Sequence, residues 1–129
     1  MRNFAILVIL ASLTSLLLSA CSGGGQPAAR TVEDYVKALV AKDAGRLSAL
    51  SCANWEQTAL TELDSFQAVD VRLEGLACSV GEKDGGTTLV HCQGKIIASY
   101  NNEDQTLDLS VRTYQVVQQG GDFLVCGYR

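Results

Sequence analysis

VDVRLEGLACSVGEKDGGTTLVHCQGKIIASY, running from Val69 to Tyr100, decides the fold. Val69, Val71 and Leu73 alternate with Asp70, Arg72 and Glu74, the period-two pattern of a half-buried strand. Leu76, Cys78 and Val80 continue the alternation on the opposite parity, so one face is kept only if the chain slips by one residue at Gly75, as a β-bulge does. Glu82-Lys83-Asp84-Gly85-Gly86 is a strong turn signal. A second strand follows, with Val90, Cys92, Ile96, Ala98 and Tyr100 on one parity and Gly94 in its middle, where glycine marks a bend or a close approach. A hairpin centred near Gly85 sets Cys78 opposite Cys92. Directly opposed residues in a non-hydrogen-bonded pair lie ~4.5 Å apart at Cα, within reach of a disulfide.

Downstream, Asn101-Asn102-Glu103-Asp104 reads as a turn. Leu107, Leu109 and Val111 open a third strand, whose phase shifts before Tyr114 and Val116. Gln118-Gln119-Gly120-Gly121-Asp122 turns the chain into a fourth strand, Phe123 to Tyr128. Upstream the period is helical. Thr31 with Asp34 three residues on resembles a capping box, and Val32, Tyr35, Val36, Leu39 and Val40 line one helix face. Asp43 can cap a short second helix carrying Leu47 and Leu50. Asn54 with Gln57 can cap a third, in which Trp55, Ala59, Leu63 and Phe66 share a face to about Ser65. Helices segregated from strands give an α+β fold: N-terminal helices packed on a curved four-stranded antiparallel meander sheet. Two phase shifts imply strong curvature, and a curved sheet wrapped on helices makes a cone with a pocket.

The whole chain has 129 residues, one domain's worth. Its start is different in kind. Met1-Arg2-Asn3 is a short positive segment, and Phe4 to Leu18 is an apolar run of about 22 Å as a helix, short of the ~30 Å hydrocarbon core. A signal peptide over residues 1–20 fits better than a permanent span. Leu18-Ser19-Ala20-Cys21, followed by Ser22-Gly23-Gly24-Gly25, resembles the bacterial lipobox. In that family Cys21 would carry a diacylglyceryl thioether and, after cleavage, an acyl chain such as palmitate on its amino group. Two or more chains anchor stably where one is marginal. Residues 21–30 then read as a flexible tether and 31–129 as the folded domain, lipid-anchored to the cell membrane or outer membrane and extracytoplasmic.

Cys52, Cys78, Cys92 and Cys126 remain in the exported part, an even number in an oxidising compartment. With Cys78 opposite Cys92, Cys52 is left for Cys126. No Cys-x-x-Cys spacing supports a metal centre or a redox thiol pair. No motif calls for a cofactor. Lys and Arg number 10, one of them Arg2 in the leader, against 14 Asp and Glu. That balance argues against nucleic acid, whose binding rests on cations neutralising phosphates.

Helix 31–41, a short second helix ending near Cys52, long curved strands and the closing Tyr114-Gln115-Val116-Val117 … Gly120-Gly121-Asp122-Phe123-Leu124-Val125 are similar to the nuclear transport factor 2-like, or cystatin-like, superfamily. The resemblance implies a cone-shaped domain, in a group holding ketosteroid isomerases, dehydratases, polyketide cyclases and non-catalytic binding domains. Its enzymes use Tyr, Asp or His inside the cone. Here His91 alternates with the outward face, and Asp70 and Asp108 alternate outward with Arg72 and Ser110. Tyr35, Tyr100 and Tyr114 fall on the apolar phase as core aromatics and as candidate ligand-binding residues, on an inner face with Val90, Ile96, Leu109 and Val111. A face offering only tyrosine lacks a base. The expectation is a non-catalytic module that binds a small apolar ligand or an envelope protein. The alternative is a cone-pocket isomerase or dehydratase.

Overall fold

The computed structural model describes residues 26–129; the expected signal peptide, Cys21 and the start of the expected tether lie outside the described residues. Three helices, α1 (Gln26–Val40), α2 (Ala44–Ala49) and α3 (Ala53–Ser65), precede five strands: β1 (Asp70–Asp84), β2 (Thr87–Tyr100), β3 (Glu103–Asp108), β4 (Thr113–Gln119) and β5 (Asp122–Tyr128). The fold is α+β, with helices packed on one antiparallel sheet. Among the described residues no helix is long and apolar enough to cross a membrane.

α1 begins earlier than the tether and capping-box readings allow. Residues 26–30 are helical, Ala28 and Ala29 are buried, and Thr31 is an interior residue whose hydroxyl donates to the Pro27 carbonyl at 3.0 Å. Pro27 sits in the first turn, where its missing N–H and fixed φ suit a helix start. The helix ends in a left-handed residue that is not glycine. Lys42 has φ 57°, its N–H donates to Leu39 O, and the Asp43 N–H donates to Ala38 O, the pattern of a Schellman cap. The Lys42 ammonium donates to the Val69 carbonyl at 2.8 Å and so ties the end of α1 to the segment entering β1. Asp43 then caps α2, accepting from the Arg46 N–H at 3.0 Å. Cys52, rather than Asn54, occupies the cap position of α3.

β1 pairs with β2, β2 with β4 and β4 with β5, while β3 pairs with the far half of β2. The expected third strand is therefore two. Asp108 accepts from the Ser110 N–H at 2.8 Å and its hydroxyl at 2.7 Å, which closes a 3-10 turn over Leu109–Val111. Leu109 drops into the core. Val111 turns out to solvent at 71% exposure, against the expected inner face. The β5 edge is covered by the link between α2 and α3: Cys52 N–H donates to Val125 O and Val125 N–H to Leu50 O, beside a Cys52–Cys126 disulfide. Cys78 and Cys92 are also bonded, with Cα atoms 4.0 Å apart.

The sheet creases at the slip near Gly75. Register shifts between Glu74 and Ala77, and Gly75 (φ 65°) faces Gly94 (φ 102°). A Cβ on Gly94 would lie 2.6 Å from Glu74 O and 2.7 Å from the Gly75 carbonyl, whereas one on Gly75 meets only Gly94 Cα at 3.9 Å. Gly94→Ala should therefore destabilise by roughly 2–4 kcal/mol, through strain plus displaced backbone. Gly75→Ala should cost about 1 kcal/mol, from its left-handed conformation alone. Urea melts of the two variants check the order. Further irregularities fall between Val80 and Lys83 and between Gln115 and Val116, and add to the curvature.

Candidate functional site

Four aromatic rings fill the inside of the cone. Tyr35 on α1 and Tyr114 on β4 are fully buried, with ring centroids 6.2 Å apart. Tyr128 on β5 stacks edge-on with Tyr114 at 5.7 Å and with Trp55 at 5.3 Å. The Trp55 indole donates to the Tyr35 hydroxyl at 3.0 Å, the partner a buried tyrosine needs. Of the three tyrosines read as ligand-binding, Tyr35 and Tyr114 come together but are sealed in the core. Tyr100 does not join them. It lies at the end of β2 in the hairpin to β3, 58% exposed, because the strand there runs past the helix layer.

One carboxylate does enter this interior, which corrects the reading of an inner face that offers only tyrosine. Glu62 of α3 accepts from Arg112 Nη1 at 2.7 Å, and each side chain is only 14% exposed. The Arg112 guanidinium also lies 4.0 Å over the Tyr128 ring, a cation–π geometry. Glu62 Oε2 and the Tyr114 hydroxyl are buried without a hydrogen-bond partner among the described residues. Glu62 was legible in principle: it stands seven residues after Trp55, a lone charge on the apolar face of α3. Arg112 gives no comparable signal, since it follows the unforeseen 3-10 turn.

Next to this pair opens a cleft of about 320 Å³ between α3, β2 and β3. Its lining joins Phe66, Ile96, Ala98 and Leu107 to Glu62 and Arg112. Apolar walls with a few convergent polar groups are the usual make-up of a small-molecule site. A wider, shallower groove of about 480 Å³ lies at the crease, among Glu74, Lys95, Thr106 and Asp108. Its charges are engaged with one another, Lys95 with Glu74 at 3.7 Å and Asp108 with Ser110. His91 is on the outer face, 3.5 Å from Thr113 Oγ1 and 3.9 Å from Glu82. Asp70 is exposed, and the four cysteines among the described residues are all bonded in disulfides.

Burial pushes the Tyr114 hydroxyl up to about 12, against the opposing pull of Arg112, and pushes Tyr35 higher still. The folded state thus resists ionisation that the unfolded chain undergoes near pH 10. Stability conferred by these neutral hydroxyls is intact below pH 10 and falls as pH rises toward 12. For Tyr114 the loss amounts to about 2–3 kcal/mol. Absorbance at tyrosinate wavelengths should therefore show the buried pair ionising together with loss of circular dichroism. Ionisation of all four tyrosines in an intact fold would contradict this placement.

No family model matches the chain, and no curated protein matches it. Among solved structures it is similar to Aln2 from a Streptomyces species, a 1.8 Å structure, with a TM-score of 0.54 at 14% identity. The match covers 80% of this chain and 85% of that one. At such identity the likeness establishes the fold and nothing finer: helices laid on an open, curved antiparallel sheet.

Proposed function

We propose that this is a lipid-anchored, extracytoplasmic envelope protein whose nuclear transport factor 2-like domain binds a small ligand without turning it over. The observation that carries the reading is the cleft bounded by Phe66, Ile96 and Leu107 on its apolar side and by the Glu62–Arg112 pair on its polar side. A paired carboxylate and guanidinium carry no net charge, so they suit a neutral polar head on an apolar body better than an ion. Two disulfides fit an oxidising compartment. A neutral fluorescent dye with an apolar body, such as N-phenyl-1-naphthylamine, should bind once per chain, and Ala98→Phe, which fills the cleft, should abolish binding. Dye binding unchanged by Ala98→Phe would place the ligand elsewhere, and the envelope-protein reading would take its place.

The anchor rests on Leu18-Ser19-Ala20-Cys21. Cys21→Ser should leave the protein uncleaved or shift it from the detergent phase to the aqueous phase. Equal partitioning with normal cleavage would remove the anchor from the account. The isomerase or dehydratase alternative gains one specific observation, a carboxylate beside tyrosine hydroxyls inside the cone. Against it, Arg112 already engages one oxygen of Glu62, and Tyr35 and Tyr114 are sealed in the core away from any substrate. Turnover of an enolisable ketone that Glu62→Gln abolishes would decide for the enzyme.

A further inference from the structure

A second cleft, of about 360 Å³, lies at the opposite end of β2 from the β1–β2 turn, lined by Lys42, Gln67, Val69, Asp70, Tyr100 and Asn101. We propose that it is a binding site for a neutral saccharide. Three observations converge on that chemistry.

The first is Tyr100. It is one of two large apolar side chains left exposed among the described residues, and it stands on the rim of a polar cleft rather than in an apolar patch. A partly exposed aromatic ring beside hydrogen-bonding groups offers an apolar platform with a polar edge. The C–H face of a sugar ring is the natural complement to the first and its hydroxyls to the second.

The second is the mixture of groups around the ring. The Asp70 carboxylate accepts, while the Gln67 and Asn101 amides and the Tyr100 hydroxyl both donate and accept. Among the described residues, no hydrogen bond to protein holds the side chains of Asp70, Tyr100 or Asn101. One ammonium, Lys42, and one carboxylate, Asp70, leave the cleft without net charge. A free anion or cation would therefore meet an opposing like charge, and a polyol, which donates and accepts at every hydroxyl, meets none.

The third is pre-organisation. Asn101 and Asn102 have φ of 51° and 65°, fixed by the two-residue hairpin that joins Tyr100 to Glu103. Asp70 opens β1, paired with Ser99. Lys42 is locked by the helix cap and by its donations to Val69 O and Gln67 O, at 2.8 and 3.5 Å. The backbone that carries these groups is fixed and Lys42 is held, so binding has only the side chains of Asp70, Tyr100 and Asn101 left to order.

The test uses the full chain in detergent micelles and three neutral disaccharides, cellobiose, lactose and N,N′-diacetylchitobiose, with glucuronate and inorganic phosphate as charged comparators. At least one neutral disaccharide should bind at about 0.1–10 mM and shift the backbone resonances of Gln67, Asn101 and Asn102. Its ring protons should receive magnetisation from the protein. Tyr100→Ala, a change on the surface, should reduce affinity at least ten-fold with the melting curve unchanged, and Asn101→Gly should reduce it while keeping the turn. Affinity rising with oligosaccharide length would assign a glycan strand as the source, and affinity flat beyond the disaccharide a free sugar. The proposal is overturned if none of the three shifts these resonances, if Tyr100→Ala binds as well as wild type, or if phosphate or glucuronate binds more tightly than every neutral sugar.

Discussion

Arg112→Ala is expected to destabilise the domain by about 3 kcal/mol, and Glu62→Leu combined with Arg112→Met by much less. The Glu62–Arg112 pair is nearly enclosed, at 2.7 Å and 14% exposure on each side. Removing the cation leaves a carboxylate buried among Tyr35, Tyr114 and Tyr128 with nothing to balance it, which typically costs 3–5 kcal/mol in a fully buried site. The partial exposure places this pair at the low end of that range. The variant also loses the guanidinium face packed on Tyr128. Replacing both partners by apolar side chains of similar volume removes the charge and its desolvation together, so the two substitutions will not add. Urea unfolding of the single and double variants measures this directly. A double variant as unstable as Arg112→Ala would mean that the pair acts through shape rather than charge.

The second large effect concerns the covalent clamp between the helix layer and the sheet. Cys52 stands at the start of α3 and Cys126 on the last strand, 74 residues on. Closing a loop of that length stabilises by roughly 4 kcal/mol in the chain-entropy model. Cys78 and Cys92 close only 14 residues, across a hairpin whose turn already holds the strands together. Paired alanine substitution at Cys52 and Cys126 should therefore lower the melting temperature clearly more than paired substitution at Cys78 and Cys92. Against a total stability of about 5–15 kcal/mol, the first change is a large fraction of the whole. Equal losses, or a greater loss at the hairpin, would show that the 74-residue loop is held together by packing without its disulfide.

Much of this architecture can be read from the chain, and the places where reading fails have physical causes. The alternation through Val69–Val80, its slip at Gly75 and the Gly85-Gly86 turn are local properties, so β1 and β2 are legible together with the facing of Cys78 and Cys92. The bulge after Val80 offsets the register by one residue, which is why a centre at Gly85 finds the right pair although the turn itself spans Gly85 and Gly86. The first turn of α1 is hidden because Gln26-Pro27-Ala28-Ala29 shows no contrast between faces; small residues next to a Gly run look like tether until Ala28 and Ala29 are buried by the sheet. Parity counting places Val111 inward because it assumes an unbroken strand, and the Asp108 cap breaks it. Tyr100 keeps its parity but outruns the helices that would have covered it.

The candidate site is less legible than the fold. Tyr35 and Tyr114 reveal themselves by phase, yet nothing in their spacing says that they fill the cone rather than line it. Glu62 and Arg112 are 50 residues apart, and neither has a motif around it. Their pairing follows only from the way α3 crosses the sheet where the 3-10 turn delivers Arg112. A polar pair formed by tertiary packing leaves its trace in the sequence as one misplaced charge on a helix face, and that trace is Glu62.

The central claim, that the cleft beside Glu62 and Arg112 holds a small ligand, is met most directly by native mass spectrometry of the chain purified from its source cells in mild detergent. The account predicts a retained neutral molecule of one defined mass, absent from Ala98→Phe and depleted in Arg112→Met. The same mass retained by both variants, or wild-type protein carrying nothing while cross-linking captures a protein on that face, would contradict it.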